Sequence, residues 1–136
     1  MSREIHNNVK VLKARTSSAI SSNTTSAGDI IDLAGYGSCE FVMLSATLTD
    51  GAYAPLIEVG NDSGLSDAAT LTGASLLGTT ALGSFALTDD NAVKKIGFRV
   101  NSFRYARLSI VSTAVTTGGT IGAIAILGDP AIAPVA

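Results

Sequence analysis

The feature of this sequence that most constrains its fold is how often it is interrupted. Short runs rich in Val, Ile, Leu, Phe and Thr alternate with clusters of Gly, Asn, Asp and Ser along the whole chain. Runs of that length make β-strands, and many short strands divided by turns close on themselves as a sandwich or barrel. The 136 residues suffice for one domain. Hydrophobic residues at 46% against charged residues at 15% exclude a disordered chain. The most apolar stretch, Ile121 to Leu127, falls far short of the ~20 residues that carry a helix across a bilayer. The expected fold is a single all-β domain, an antiparallel β-sandwich of jelly-roll type, with residues 29–128 as its body. Residues 1–28 are expected to form an N-terminal arm or edge strand. Residues 129–136 are expected to form an extended tail, because Pro130 and Pro134 bar a helix or an interior strand there.

Within the body, Phe41 to Leu48 is the strongest strand, and it is apolar on both faces near its start, which predicts a central position. The turn Thr49-Asp50-Gly51 then leads into Tyr53 to Val59, so residues 41–59 read as a hairpin. Pro55 lacks a backbone donor and predicts an edge or a bulge. Residues 68–77 read as the place for a short helical turn, and Ala81 to Leu87 as a strand. Val93 to Val100 alternates, with Ile96, Phe98 and Val100 inward and Lys95 and Arg99 outward. In Tyr105 to Ser112, Ala106, Leu108 and Ile110 share one face. Thr117-Gly118-Gly119 reads as a hairpin turn into Ile121 to Leu127.

Charge is segregated along the chain. Residues 1–15 hold Arg3, Lys10, Lys13 and Arg15 against Glu4 alone. Residues 16–93 contain no Lys or Arg but nine acids, whereas residues 94–107 contain Lys94, Lys95, Arg99, Arg104 and Arg107 and no acid. Strand pairing mixes sequence blocks, so part of this separation is expected to cancel inside the fold. What does not cancel predicts a basic N-terminal segment docking on an acidic neighbour. The basic stretches are short, the net charge is −2, and no recognition motif accompanies them, so nucleic acid is not an expected partner.

The residues offer no catalytic or metal-binding constellation. His6 is the only histidine and Cys39 the only cysteine, which leaves neither a zinc ligand set nor a disulfide. Cys39 reads as a small buried hydrophobe. A Ser-His-Asp triad would have to be built on His6, in a polar segment with no partner motif. Gly118-Gly119-Thr120-Ile121-Gly122 lacks the Lys and the helix of a phosphate loop. Gly60 to Asp67 is rich in oxygen ligands but lacks the alternating acids and final Glu of a calcium loop, so turn chemistry explains it better. Asp89 and Asp90 are adjacent in a turn and do not face each other across a substrate. Tyr36, Tyr53 and Tyr105 read as core or interface residues. No enzyme activity, cofactor or membrane partner is expected. The first eight residues contain no apolar segment of a secretory signal, so synthesis and retention in a cytoplasm are expected.

Several segments, taken in order, resemble the small head decoration (cement) proteins of tailed bacteriophages. They are Leu48-Thr49-Asp50-Gly51-Ala52-Tyr53, Ile57 to Gly64, Leu76-Leu77-Gly78-Thr79, Lys95-Ile96-Gly97-Phe98 and Arg104-Tyr105-Ala106-Arg107-Leu108. The closing stretch from Gly118-Gly119 through Ala125 to Pro130, and then Ala133-Pro134-Val135, completes the resemblance, which covers about residues 30–136. The resemblance implies a β-sandwich bound to the outside of a capsid, as trimers at local threefold positions, made in a bacterial host and carried on the virion. The major capsid protein and further copies of this chain would be its partners. It gives Arg3, Lys10, Lys13 and Arg15 the role of a docking arm, Pro130, Ile132 and Pro134 that of a tail clasp, and Arg99, Arg104 and Arg107 that of an interface. A tail or head-fibre component, or a β module binding a glycan or calcium, remains the alternative.

Overall fold

The computed structural model describes residues 4–132. Eight strands carry the fold: β1 (Lys10–Ile20), β2 (Thr25–Asp32), β3 (Tyr36–Leu48), β4 (Ala52–Gly60), β5 (Ala69–Thr70), β6 (Val93–Arg99), β7 (Tyr105–Thr113) and β8 (Gly119–Pro130). A 3-10 turn at Gly73–Ser75 and a one-turn helix, α1 (Thr80–Gly83), lie between β5 and β6. The pairing is nested: β1 with β8, β2 with β7, β3 with β6 and β4 with β5, all antiparallel. This long ribbon is rolled so that β8 also meets β3 and β7 also meets β4. Two four-stranded sheets result, ordered β1-β8-β3-β6 and β2-β7-β4-β5. Nested pairing rolled into two sheets is the jelly roll that the strand spacing predicts.

Rolling the ribbon corrects two hairpins read from the sequence. β3 and β4 belong to different sheets, and so do β7 and β8. Gly51 does take a positive φ of 93° in a tight turn. However, Leu48 before it and Tyr53 after it are both buried in the core, so the chain folds across the sandwich. The central placement of β3 holds, since β8 flanks it on one side and β6 on the other. Pro55 lies upstream of the two β4 residues that β5 covers, on a stretch of β4 with no strand on its outer side.

The core is filled from both sheets. Phe41, Met43, Ile96, Phe98, Ile121 and Leu127 face Tyr53, Ile57, Ala106, Leu108 and Ile110. One open side of the sandwich is closed by residues 71–87. Leu77 forms an isolated bridge with Gly97 of β6, and buried Phe85 forms one with Tyr53 of β4. The strand expected over Ala81 to Leu87 is therefore α1 followed by a single bridge. The Thr79 hydroxyl accepts from the Leu82 amide and caps that turn, which favours helix at its start. The helical turn expected in residues 68–77 is reduced to the 3-10 turn, preceded by β5.

The opposite side is closed by β1 against β2, with β1 as the edge strand of its sheet. β1 pairs with β8 from Lys10↔Leu127 to Ile20↔Gly119, interrupted by bulges around Arg15. An ideal Cβ on Gly28 of β2 would lie 2.3 Å from the Ala14 carbonyl oxygen and 2.4 Å from that of Leu108. The two sheets thus touch main chain to main chain, at a place only glycine fits. At the other terminus, β8 continues through Asp129 to Pro130, which pairs with Tyr36, and the Ala131 amide donates to the Gly35 carbonyl. Proline is accepted as the last residue of the strand because no further ladder bond is required of it.

Candidate interaction surface

The charges that the sequence separates are brought together by pairing of distant strands. Arg104 forms a two-pronged ion pair with Asp32, Nε and Nη2 each 2.9 Å from a carboxylate oxygen, and this holds the Asp32 carboxyl below its ordinary range. Arg107 meets Glu58 at 3.0 Å, Lys13 meets Asp29 at 3.4 Å and Lys94 meets Asp89 at 3.7 Å. Each pair joins an acid of the middle block to a base of a flanking block. Arg104 and Arg107 therefore bind their own fold, and being exposed or half-buried they add little stability.

Arg15 departs furthest from its expected docking role. Only 6% exposed, it points inward at the β1 bulge. Its Nη1 donates to the carbonyls of Thr16, Ser18 and Ile121, and its Nη2 to the Ser26 hydroxyl at 2.9 Å. The guanidinium pins β1 and β8 to β2 and is withdrawn from any partner. Burial pulls its pKa below the ordinary value. Of the remaining predicted residues, Lys10 and Arg99 have no carboxylate within ion-pair distance among the described residues. Pro130 ends β8, Ile132 is exposed beyond it, and Arg3 and Pro134 lie outside the described residues.

The other candidate chemistry is spent on turns. Asp62 accepts from the amides of Gly64 and Ser66, and Asp67 from those of Asn61 and Asp62, which lowers both carboxyls. Asp50 accepts from the amides of Thr116, Thr117 and Gly118, tying the β3–β4 corner to the β7–β8 corner. Asp90 accepts from the Leu48 amide. Burial pushes the Cys39 thiol up to about 12. Among the described residues no group of three or more His, Cys, Asp or Glu stands close enough to hold a metal ion.

What remains is a surface that motif reading missed. Strand register places Lys13, Ile124, Val42 and Lys95 side by side in one row across the outer face of the β1-β8-β3-β6 sheet. Above it runs the row Val11, Ile126, Glu40 and Gly97, and below it Gly122, Leu44 and Val93. The solvent side of an antiparallel sandwich is ordinarily polar, yet here both central strands and parts of both edges are apolar. Val11 is 55% exposed, Leu44 57%, Val93 65% and Ile124 40%. The β1 bulge carries Ser17 over Gly122, where a Cβ would lie 2.9 Å from the Ser17 Cβ. Ser17 thereby walls one side of a shallow groove of about 460 Å³ floored by Val42, Gly122 and Ile124. Glu40, the one acid of these rows, lies half-buried over Gly97, and desolvation raises its pKa against the pull of Lys95. The only signal for this face in the sequence was the run of residues apolar on both sides of β3. A second hollow, about 720 Å³, lies at the β6 edge between Leu71, Leu77, Arg99 and Phe103.

No family model and no curated protein matches the sequence. Solved structures do share the fold. The SPBc2 prophage-derived protein YomS superimposes with a TM-score of 0.51 at 12% identity, over 88% of this chain and 92% of that one. The VP2 protein of infectious bursal disease virus, in its subviral particle, superimposes with a TM-score of 0.58 at 12% identity. That match takes in 90% of this chain and only 32% of VP2. At such identity the likeness is one of fold: this jelly roll occurs in a prophage-derived protein of similar length and, as one part, in a viral capsid protein.

Proposed function

We propose that this protein is a structural component of a tailed-phage particle, a decoration subunit bound to the outside of the capsid that strengthens it. The observation that carries the reading is the apolar outer face of the β1-β8-β3-β6 sheet, where exposed Val11, Leu44, Val93 and Ile124 are set side by side by strand register. The fold likeness to a prophage-derived protein along nearly the whole of both chains supports it, as does the resemblance to cement proteins. The chemistry is that of linkage. A ligand that binds the assembled shell and not its free subunits stabilises the shell by mass action, and so opposes the pressure of packaged nucleic acid. If copies also associate as trimers over local threefold positions, each trimer presents several such faces at once and gains avidity. No catalytic step, metal or cofactor has a place in this function.

Co-sedimentation tests it. The purified protein is mixed with undecorated phage capsids and, in parallel, with dissociated capsid subunits, and sedimentation equilibrium reads its own oligomeric state. Pelleting with assembled shells at a fixed ratio, and not with subunits, is the expected result. Absence from matching shells, together with binding to tails or fibres, would move the protein elsewhere on the particle.

A further inference from the structure

We propose that residues 72–77 are a strap that closes onto the open edge of β6, adding a fifth strand to the β1-β8-β3-β6 sheet in register with the bridge at Leu77. The inference goes beyond the capsid reading and stands on the fold alone.

β6 is an edge strand, and its main chain shows which groups face outward. The Val100 amide donates to the Gly37 carbonyl and the Ser45 amide to the Ala92 carbonyl, so the even-numbered residues of this stretch bond to β3. Lys95, Gly97 and Arg99 therefore turn their amides and carbonyls to the open edge. Among the described residues only Gly97 of these three is met there. Its amide donates to Leu77 at 3.1 Å and the Leu77 amide donates back at 2.7 Å, an antiparallel bridge one residue long. Continuing that register by two residues puts Ser75 opposite Arg99. No main-chain bond joins this pair. The Ser75 amide donates instead to Thr72 at 3.2 Å and the Leu76 amide to Gly73 at 3.1 Å, which makes the 3-10 turn. The hollow of about 720 Å³, lined by Ser75, Leu77, Arg99 and Phe103, is the space the missing ladder would fill.

The strap needs little rearrangement to close. Thr72 and Leu76, on either side of the turn, are already extended, with φ of −138° and −97°. Gly73 holds the turn with a φ of 57°, a conformation that glycine enters or leaves without steric cost. Leu71 stays tied to Ile57 through its amide. The four residues from there to Ser75 reach about 13 Å when extended, enough to cross the ~10 Å between packed sheets. Leu76, half-buried against the core, falls opposite Phe98 in the closed register and keeps its inward direction. The exchange is close to even, because two turn bonds are traded for two ladder bonds between Ser75 and Arg99. The closed strap seals the Arg99 main chain from strands of other molecules, and the folded-back strap leaves that edge open to them.

A cysteine pair tests it. Ser75→Cys with Arg99→Cys places thiols at directly opposed positions, about 5.5 Å apart at Cα in the closed strap and within disulfide range. Disulfide formation in a fixed glutathione buffer is timed with and without Gly73→Ala. That change penalises the left-handed turn, and its Cβ meets nothing within 4 Å. Both cysteine positions are exposed, buried Cys39 does not compete, and thermal melts confirm the fold of each variant. The expected result is a disulfide within one chain, formed about tenfold faster with Gly73→Ala. In chains without the added cysteines, NMR is expected to show the Arg99 amide exchanging more slowly in Gly73→Ala than in wild type. A disulfide rate unchanged or lowered by Gly73→Ala overturns the strap, and so does an Arg99 amide that exchanges equally fast in both chains. Neither measurement involves a capsid, so failure here leaves the capsid reading standing.

Discussion

Replacing Gly28 by Ala probes the seam that joins the two sheets. An added Cβ would sit 2.3 Å from the carbonyl oxygen of Ala14 in β1 and 2.4 Å from that of Leu108 in β7. Ordinary contact for such atoms starts at 3.4 Å, so each neighbour has to withdraw by about 1 Å. Both obstacles are main chain in different sheets, so no side-chain rotation relieves them. β2 must part from β1 of the other sheet at Ala14 and from β7 of its own sheet at Leu108, both fully buried. A gap of 0.5–1 Å forfeits about a quarter to a half of a dispersion contact, and overpacking of a tight interior costs about 1–3 kcal/mol. With only main chain to yield, the upper end of that range applies. Alanine returns about 0.5–1 kcal/mol by restricting the unfolded chain, leaving a net loss of ~2 kcal/mol. At about 4 °C per kcal/mol for a domain of this size, Tm falls by about 8 °C. Calorimetry or circular dichroism measures it, with Gly128→Ala as the control. There the nearest obstacle is the tip of the Ser38 side chain at 3.1 Å, which can turn away. A Gly28→Ala protein that melts at or above the wild-type temperature would refute the view that β1 and β2 close the sandwich main chain to main chain.

The remaining predictions follow from the same structure. Deleting residues 1–8 leaves the near-ultraviolet dichroism and Tm unchanged, whereas deleting residues 1–20 removes β1 and with it cooperative unfolding; a sharp melt from the longer deletion would show that β1 is dispensable. Asp50→Asn weakens acceptance from the Thr117, Gly118 and Thr116 amides. Because these bonds lower the folded-state pKa of Asp50, its contribution is present above the ordinary value of 3.8 and is lost as pH falls through the lowered one. The Tm gap between wild type and Asp50→Asn is thus wide at pH 7 and narrows at pH values below 3.8, and a gap constant across that range would remove the carboxylate from the explanation. Cys39, with its thiol pushed up to about 12, stays unreactive toward a thiol reagent at pH 8 in the folded protein and reacts once denatured; prompt native labelling would place it at the surface.

Strand content and the inward faces were legible in the chain, because each depends on local pattern. Ala106, Leu108 and Ile110 alternate at the two-residue period of a strand, and the structure buries all three. The central place of β3 could likewise be read from its two apolar faces. Tertiary structure alone decided which strands are neighbours. A tight turn such as Asp50-Gly51 reverses the chain equally well within a sheet or across the sandwich, so the hairpin reading of residues 41–59 could not be checked locally. Charge followed the same rule: the separated blocks cancel because β7 lies between β2 and β4, where Arg104 meets Asp32 and Arg107 meets Glu58. Arg15 looked like one more surface base until the β1 bulge turned it inward. The apolar outer face was invisible for a related reason. Val42, Val93 and Ile124 come from three distant parts of the chain, and only strand register sets them side by side. Periodicity says which way a side chain points; what lies beside it depends on contacts between residues far apart in sequence.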